Sequence, residues 1–297
     1  MKLNKNRRGQ WAERSIELAL MLAAGLSVAT TLGIVLVLVT ESVHFFHTVA
    51  LSDFLTDTVW MPLFAEPRYG VLPLIGGTLV TAGVALTLAV PLGLGVAIFL
   101  AEFASKKTRE TLKPALELLA GIPTVVYGYF ALNAVIPLLQ LFIPELPGFN
   151  MLGAGLVMGI AIVPYMASLS EDALRAVPVH LREAAAAMGA TQLQTAWQVV
   201  MPAARSGIVA ALVLSVARAI GETMIVSIAA GMQPKLSANP LEQAQTASAY
   251  IVSVVLGDLP HGSVGYQSIF AVGLVLFLLT LILNMLAQIV RLRSVRL

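Results

Sequence analysis

Long apolar stretches alternate with short polar ones along this chain. A membrane-spanning helix needs about 20 mostly apolar residues, and six stretches qualify. They lie at residues 17–40, 75–101, 114–142, 151–170, 204–231 and 268–290. Between the fourth and fifth lies the 171–203 loop, whose apolar residues recur at helical spacing but which is too polar to cross a membrane. The pattern therefore predicts an all-α integral membrane protein with six transmembrane helices.

The same pattern predicts one domain between two short tails. The six-span domain covers residues 17–290, with tails at 1–16 and 291–297. The first apolar stretch is longer than the apolar core of a signal peptide, so we expect it to remain as an uncleaved span. The last loop on the outer side, residues 232–267, is long enough to contain a short helix around Leu241–Val255.

The composition agrees with a membrane protein. The chain is 58% hydrophobic and only 11% charged, whereas soluble domains carry about 25% charged residues. It contains no cysteine, which excludes disulfides, thiolate metal sites and cysteine nucleophiles. The four histidines are too scattered to predict a metal site, and no arrangement of residues suggests a catalytic centre.

Positive charges are concentrated on one side of the predicted membrane. That side carries Lys2, Lys5, Arg7, Arg8, Arg14, Lys106, Lys107, Arg109, Lys113, Arg175, Arg182, Arg205, Arg291, Arg293 and Arg296. The other side carries only Arg68 and Lys235. Because cytoplasmic loops are enriched in Lys and Arg, we expect both termini and the 171–203 loop in the cytoplasm. The basic pI, near 9.0, then reflects membrane orientation and not nucleic-acid binding.

The sequence of the 171–203 loop predicts a helix, a turn and a second helix. Pro178 suits a first helical turn, Gly189 would end that helix, Thr191 can cap the second, and Pro202 would end it before the fifth span. An apolar ridge follows both helices and comprises Leu181, Ala184, Ala185, Met188, Leu193, Ala196, Trp197 and Val200. On physical grounds the pair either rests on the membrane surface or lies in the groove of a partner.

This loop resembles a known signature. ABC-importer permeases carry the pattern E-A-A-x3-G-x9-I-x-L-P, which is matched here by Glu183, Ala184, Ala185, Gly189, Val199, Met201 and Pro202. Val replaces Ile and Met replaces Leu, both mild changes of shape. The resemblance implies that the loop couples the permease to an ATPase.

Four further segments narrow the resemblance to one type of ABC-importer permease. They are WMP at 60–62, YGVLPLIGGTLV at 69–80, ELLAGIPTVVYGYFAL at 117–132 and RAIGETMIV at 218–226. Together they are similar to phosphate permeases of the PstC type. The resemblance implies the type I ABC importer permease fold with a cytoplasmic coupling helix, in the bacterial plasma (inner) membrane. It further implies a heterodimer with a sister permease, a cytoplasmic ATPase dimer and an external phosphate-binding protein.

ATP hydrolysis is not expected of this chain. It contains no G-x-x-x-x-G-K-[ST] phosphate loop, so we expect no enzymatic activity and no cofactor of its own. ATP and Mg would be bound by the partner ATPase. Membrane lipid is the remaining expected partner, and nucleic acid is not one.

Two charged residues stand out inside the fifth apolar stretch. Arg218 and Glu222 are four residues apart and on a continuous helix would share a face. Charges are costly in the membrane and usually functional, so the pair either lines an anion pathway or clips helices together. A stripe of small residues beside it, Gly207, Ala211, Ser215, Ala219 and Thr223, predicts an interior helix.

Three hydroxyl-bearing side chains are further candidates for the pathway. Thr223 neighbours the charged pair, while Thr124 and Tyr127 follow Pro123, which should kink the third span. The alternative for each is a hydrogen bond between helices. Near the inner edge of that span, Glu117 and Lys113 are expected to pair with each other.

Other functions remain open from the sequence. Sulfate or molybdate would suit a single arginine as well as phosphate does. A proton-coupled secondary transporter would use Arg218 and Glu222 as a relay, but would leave the signature of the 171–203 loop unexplained. A membrane scaffold or sensor would use that loop for docking without transport.

Overall fold

The computed structural model describes residues 7–62, 64 and 66–294. The helices are α1 (Arg7–Thr48), α2 (Leu51–Thr56), α3 (Leu72–Ile98), α4 (Lys106–Ala120), α5 (Thr124–Phe130), α6 (Ile136–Gln140), α7 (Met151–Arg175), α8 (Val179–Ala187), α9 (Gln192–Thr195), α10 (Met201–Ile220), α11 (Met224–Ala229), α12 (Ala247–Val255) and α13 (Val264–Ser294). Strands β1 (Trp60–Met61) and β2 (Arg68–Tyr69) form one small hairpin. The cations predicted at positions 2, 5 and 296 lie outside the described residues.

The predicted membrane-spanning helices are present. Within the described residues, five helical stretches are long and apolar enough to cross a membrane, and a sixth arises if a sharply bent pair counts as one span. The five are Arg14–Thr48, Leu72–Phe103, Met151–Arg175, Gln192–Ile220 and Val264–Leu286. The all-helical prediction is thus confirmed apart from the two-residue strands of the hairpin. Helices α1 and α13 extend into the predicted tails, since α1 begins at Arg7 and α13 runs to Ser294.

The third span differs from the continuous helix predicted at 114–142. Helix α4 ends at Ala120, and the chain then turns by 84° before Thr124–Gln140. Pro123 explains the break, because proline has no N–H to donate and disfavours helical geometry at Ile122 before it. The first seven residues of the predicted span therefore belong to a separate helix.

The helix of the fifth span also begins and ends at other residues than predicted. It begins at Gln192 and is continuous to Ile220, so Pro202 does not end a helix. Residues Ala196–Val200 form a wider π-helical turn just before this proline. A π turn relaxes the ordinary hydrogen-bond ladder where proline removes a donor. The same arrangement recurs at Ala131–Val135, which precedes Pro137.

Helices α3 and α7 pack closely through small residues. Ala82, Ala85 and Ala89 of α3 are buried in one apolar cluster with Ala154, Val157, Met158, Ala161 and Ile162 of α7. A Cβ atom at Gly159 would lie 2.8 Å from the backbone oxygen of Ala85. Small residues allow this close approach of two helical backbones, as is usual for helices in lipid.

The end of the bundle opposite the 171–203 loop is covered by an aromatic cap. Hairpin β1–β2 places Trp60 and Tyr69 against Phe45 and Phe54, and the ring centroids of Trp60 and Tyr250 are 4.8 Å apart. The aromatic pairs are edge to face, the arrangement that ring quadrupoles favour.

The loop at residues 232–267 packs on helix α7. The predicted helix there is present but begins at Ala247, with Thr246 as its cap. The segment before it is irregular, and its carbonyls at Pro240 and Glu242 accept hydrogen bonds from the first amides of α7 at 2.7 and 3.0 Å. These amides have no partner within a helix, so the loop is fastened to the bundle through its backbone.

Candidate functional site

The 171–203 loop folds into the helical elbow that its sequence predicts. Helix α8 ends before Gly189, whose φ of +82° is the left-handed conformation that glycine adopts without strain. Thr191 then caps α9: its side chain accepts from the amide of Gln194, and the Gln194 side chain accepts from the amide of Thr191. Local sequence chemistry therefore accounts for the turn.

The predicted apolar ridge divides into two parts. Ala196 and Val200 are buried against the end of the bundle. Met188 and Trp197, in contrast, are 88% and 54% exposed in the single chain, and Leu193 is exposed as well. The outward part is an apolar surface on a polar loop, which is typical of a docking site for another protein.

The signature residues lie on the same elbow. Glu183 and Ala184 are exposed on α8, Ala185 is half-buried, Gly189 forms the turn, and Pro202 is exposed in the first turn of α10. Four of the five thus face away from the bundle interior.

Arg182 fastens the elbow to the rest of the bundle. Its guanidinium donates to the carboxylate of Glu102, in the π-helical turn Phe99–Phe103 that continues from α3, with an Nη2–Oε1 distance of 2.8 Å. It also donates to the carbonyls of Val177 and Leu174, at 2.7 and 2.9 Å. The side chain of Gln192 donates to the backbone carbonyl of Glu102. The sequence analysis did not predict this role of Arg182. The feature that could have indicated it is the position of Arg182 directly before Glu183 of the signature.

A second ion cluster joins α4 to α7 at the same end. Lys113 Nζ lies 2.5 Å from the buried carboxylate of Glu171 and 2.7 Å from that of Asp172. Arg175 contributes a longer contact to Glu171, at 3.6 Å. The predicted pairing of Lys113 with Glu117 is therefore wrong, because Lys113 reaches across to α7 instead.

A cleft of about 370 Å³ contains most of the predicted pathway residues. We call it the Arg218 cleft, and it is lined by Thr124, Arg218, Gly221, Glu222 and Thr223. Two breaks in the helices meet there, since Thr124 begins α5 after the bend and residues 221–223 separate α10 from α11. Non-helical backbone at membrane depth is tolerated where it is buried in protein or lines a water-filled cavity. The two breaks therefore bring non-helical backbone and polar side chains together in this cleft.

Arg218 and Glu222 do not share a helical face, contrary to the prediction. Helix α10 ends at Ile220, and Glu222 lies in the break. Both residues belong to the described part of the chain, where no ion pair joins them. The Glu222 carboxylate instead accepts from the amides of Met224 and Ile225, at 3.1 and 3.4 Å. Arg218 lies over the ring of Tyr165, with its Cζ 5.4 Å from the ring centroid.

Tyr127 lies outside the cleft. It is buried, and its hydroxyl donates to the carbonyl of Leu119 at 2.9 Å. That carbonyl, in the last turn of α4, also accepts a hydrogen bond from the amide of Ile122 at 3.3 Å. The stripe of small residues is also interrupted, since Ala211, Ser215 and Ala219 are buried whereas Thr223 lies beyond the helix.

The cleft presents one positive charge together with free hydrogen-bond donors. Within the described residues the Arg218 guanidinium has no hydrogen-bond partner, so its planar set of donors is available. Thr124 and Thr223 add hydroxyls at its edge. Among the described residues no group of three or more His, Asp or Glu side chains could hold a metal ion.

Comparison with known families and proteins agrees with this architecture. A family model described as "Binding-protein-dependent transport system inner membrane component" matches residues 89–295. The chain is 34% identical over 271 residues to the probable ABC transporter permease protein YqgH of Bacillus subtilis, covering 91% of this chain and 85% of that protein. It is 33% identical over 264 residues to the phosphate transport system permease protein PstC of Xylella fastidiosa, covering 82% and 80%.

A solved structure gives the same fold. One chain of a bacterial alginate ABC transporter, in complex with an alginate pentasaccharide-bound periplasmic protein, superposes with a TM-score of 0.63. The two chains are 18% identical, and the match covers 95% of this chain and 96% of the other. At this identity the likeness concerns the fold alone.

Proposed function

The chain belongs to the family of binding-protein-dependent transport system inner membrane components, and we propose that it is the PstC-like permease of an importer for inorganic phosphate. As a family member it is a multi-pass inner membrane protein and the non-catalytic permease subunit of an ABC importer. The relationship to phosphate permeases, 33% identity over 82% of this chain, carries the assignment of phosphate.

The Arg218 cleft supports an anion as the solute. A guanidinium stays charged at every physiological pH and binds the oxygens of a tetrahedral anion through two parallel hydrogen bonds. We assign the contact with phosphate to Arg218, with Thr124 and Thr223 as neutral partners. Tyr165 would hold the guanidinium by a cation–π contact. This contact uses no N–H group, so the donors of Arg218 stay free for the anion.

Glu222 would act by position and not by neutralising Arg218. Its carboxylate caps α11 through two amides, and its backbone carbonyl accepts from Ser248 of α12 at 2.7 Å. Both contacts keep the chain non-helical at 221–223. In this proposal Glu222 maintains the break that forms one wall of the cleft.

The 171–203 loop would transmit motion from the ATPase. The exposed Met188, Leu193 and Trp197 would enter a groove on an ATPase subunit, and the contact of Arg182 with Glu102 would carry the movement to α3. In this proposal the loop and both termini lie in the cytoplasm, and the partner ATPase dimer binds ATP and Mg. A sister permease would supply the second half of the pathway, and an external binding protein would deliver phosphate.

Uptake of labelled phosphate by the complete transporter tests the cleft. We expect Arg218→Lys to reduce uptake at least tenfold while the complex assembles, because lysine lacks the planar pair of donors. Arg205→Lys, an exposed arginine of the same helix, is the matched control and should transport normally. Normal uptake by Arg218→Lys would exclude Arg218 from the pathway, and failure of that variant to assemble would favour a structural clip.

Competition identifies the anion. With the binding protein present, unlabelled phosphate should suppress uptake, whereas equal sulfate or molybdate should not. Suppression by sulfate would contradict the assignment of phosphate but not the class of transporter. Uphill transport by this chain alone would contradict the proposed dependence on an ATPase.

A further inference from the structure

Helix α4 has two unlike faces. Leu112, Leu116 and Leu119 follow each other at spacings of four and three residues and therefore share one face. Glu110, Lys113 and Glu117 share the other at spacings of three and four. None of its residues is buried, and the neighbouring Leu118 is 76% exposed. In the single chain Leu112 and Leu119 are exposed and Leu116 is half-buried, so this face is largely uncovered.

The orientation of α4 places that face along a membrane surface. The axis of α4 makes an angle of 84° with Thr124–Gln140, which continues as the third span. Because spans are tilted on average by only about 20° from the bilayer normal, a helix at right angles to one lies nearly in the membrane plane. The contacts of Lys113 with Glu171 and Asp172 turn the polar face toward the end of α7. The leucines are then directed away from that contact.

The beginning of α4 is rich in cations. Lys106, Lys107 and Arg109 lie in its first turn, which contains no acidic residue. Positive charge is unfavourable at the positive end of a helix dipole, so helix stability does not explain these residues. Within the described residues Lys107 and Arg109 have no carboxylate partner, and Lys106 has only a long contact of 3.9 Å with Glu110. Arg109 precedes Leu112 and Leu116 by three and seven residues and so borders the apolar face.

We propose that α4 is a membrane-surface helix that binds anionic phospholipid. The leucines would enter the boundary of the acyl chains, and the phosphates of the headgroups would contact Lys107 and Arg109. A helix with leucines on one face and Lys or Arg on the rest of its surface has the usual composition of helices that lie in the membrane interface. The polar side would remain fixed to α7 by Lys113.

Lipid bound at α4 would affect transport through the bend between α4 and Thr124–Gln140. Residues 121–123 alone separate α4 from Thr124, which lines the Arg218 cleft. A helix held at the surface keeps the bend near its observed angle and therefore holds Thr124 in place. This inference does not depend on which anion the transporter carries.

Spin labels measure the position of the two faces. The chain contains no cysteine, so Leu119→Cys and Glu117→Cys each give one labelling site in the complete transporter. In vesicles of phosphatidylcholine and phosphatidylglycerol, the label at position 119 should collide more with oxygen than with a water-soluble nickel chelate. The label at position 117 should show the opposite preference. Shielding of position 119 from both reagents would mean that a protein subunit covers this face, and would overturn the proposal.

A second experiment measures the preference for anionic headgroups. Spin-labelled phosphatidylglycerol and phosphatidylcholine report which lipid is immobilised by the transporter. We expect Lys107→Gln with Arg109→Gln to lower the preference for phosphatidylglycerol by about fivefold per charge removed. Arg14→Gln with Arg205→Gln removes two exposed cations outside α4. This pair should change the preference for phosphatidylglycerol less. An equal effect of the two pairs, or displacement of the lipid by free inorganic phosphate, would overturn the proposal.

Discussion

Arg182 and Glu102 are 80 positions apart in the sequence, yet their side chains form an ion pair with an Nη2–Oε1 distance of 2.8 Å. The same guanidinium donates to two carbonyls, at Leu174 and Val177. One side chain therefore joins α8 to the end of α3 and to the end of α7. It is the main polar connection between the 171–203 loop and the membrane-spanning helices among the described residues.

Arg182→Ala should separate the loop from α3. The Glu102 carboxylate is almost fully buried, and removing the partner of a buried charge costs about 3 kcal/mol. We expect a lower thermal unfolding midpoint in detergent and an increase in ATP hydrolysed per phosphate imported. Arg205→Ala removes an exposed arginine nearby and should leave both quantities unchanged. An unaltered ratio in Arg182→Ala would show that the ion pair does not transmit motion.

The apolar surface of the loop should determine the affinity for the ATPase. Met188→Ser is expected to weaken binding of the ATPase about tenfold, since exposed apolar anchors contribute more than 1 kcal/mol at interfaces. Titration of the reconstituted permease with ATPase subunits measures this affinity. Stability of the permease should not change, because Met188 makes few contacts in the single chain.

Val179→Ser is the control for that change. Val179 is 63% exposed at the start of α8, and Met188 directly follows the last residue of that helix. Nine residues, or two and a half turns, separate them, so Val179 lies on the opposite face. It should bind ATPase normally. Equal weakening by both variants would mean that ATPase recognition does not depend on one face of α8.

Gly159→Ala tests the close packing of α3 and α7. The added Cβ would lie 2.8 Å from the carbonyl oxygen of Ala85, and backbone atoms cannot move aside cheaply. We expect destabilisation by about 2 kcal/mol, measured as a lower unfolding midpoint in detergent. Gly83→Ala is the matched control, because no atom lies within 4 Å of the added Cβ. That variant should be neutral or slightly more stable, and an equal loss in both would refute the packing argument.

Acid should loosen the outer loop through Glu242. The Lys235 ammonium, 2.6 Å away, and a hydrogen bond from Ser237 hold the pKa of Glu242 below its ordinary value of 4.5. A carboxyl with a lowered pKa stabilises the fold fully above its unfolded pKa and loses that effect as the pH falls through the folded pKa. The stabilisation should therefore be complete at pH 6 and disappear below about pH 4.5.

Thermal unfolding between pH 6 and pH 3 measures this dependence. Glu242→Gln should have a lower midpoint at pH 6 and a smaller decrease toward pH 3 than the unaltered chain. Glu145→Gln, which changes an exposed carboxyl in another outer loop, should keep the ordinary decrease. Parallel curves for Glu242→Gln and the unaltered chain would contradict the role of Lys235.

Features that depend on neighbouring residues could be read from the sequence. The apolar stretches identify the spans because a backbone in lipid must satisfy its own hydrogen bonds within a helix. Gly189 and Thr191 identify the turn of the 171–203 loop because a left-handed residue and a helix cap are local requirements. The signature around Glu183 could be recognised for the same reason, because its residues are close together in the sequence.

Features that depend on residues distant in the chain appeared only in the folded protein. The break at 221–223 follows a run that looks continuously apolar, and it is held open by Ser248 of a separate helix. Lys113 bonds Glu171 and not the neighbouring Glu117, because the 84° bend turns α4 toward α7. Helical spacing describes which residues can meet within one helix, but contacts between helices depend on how the bends and breaks orient them. For this reason the spans and the loop were predictable, whereas the shape of the Arg218 cleft and the attachment of the loop were not.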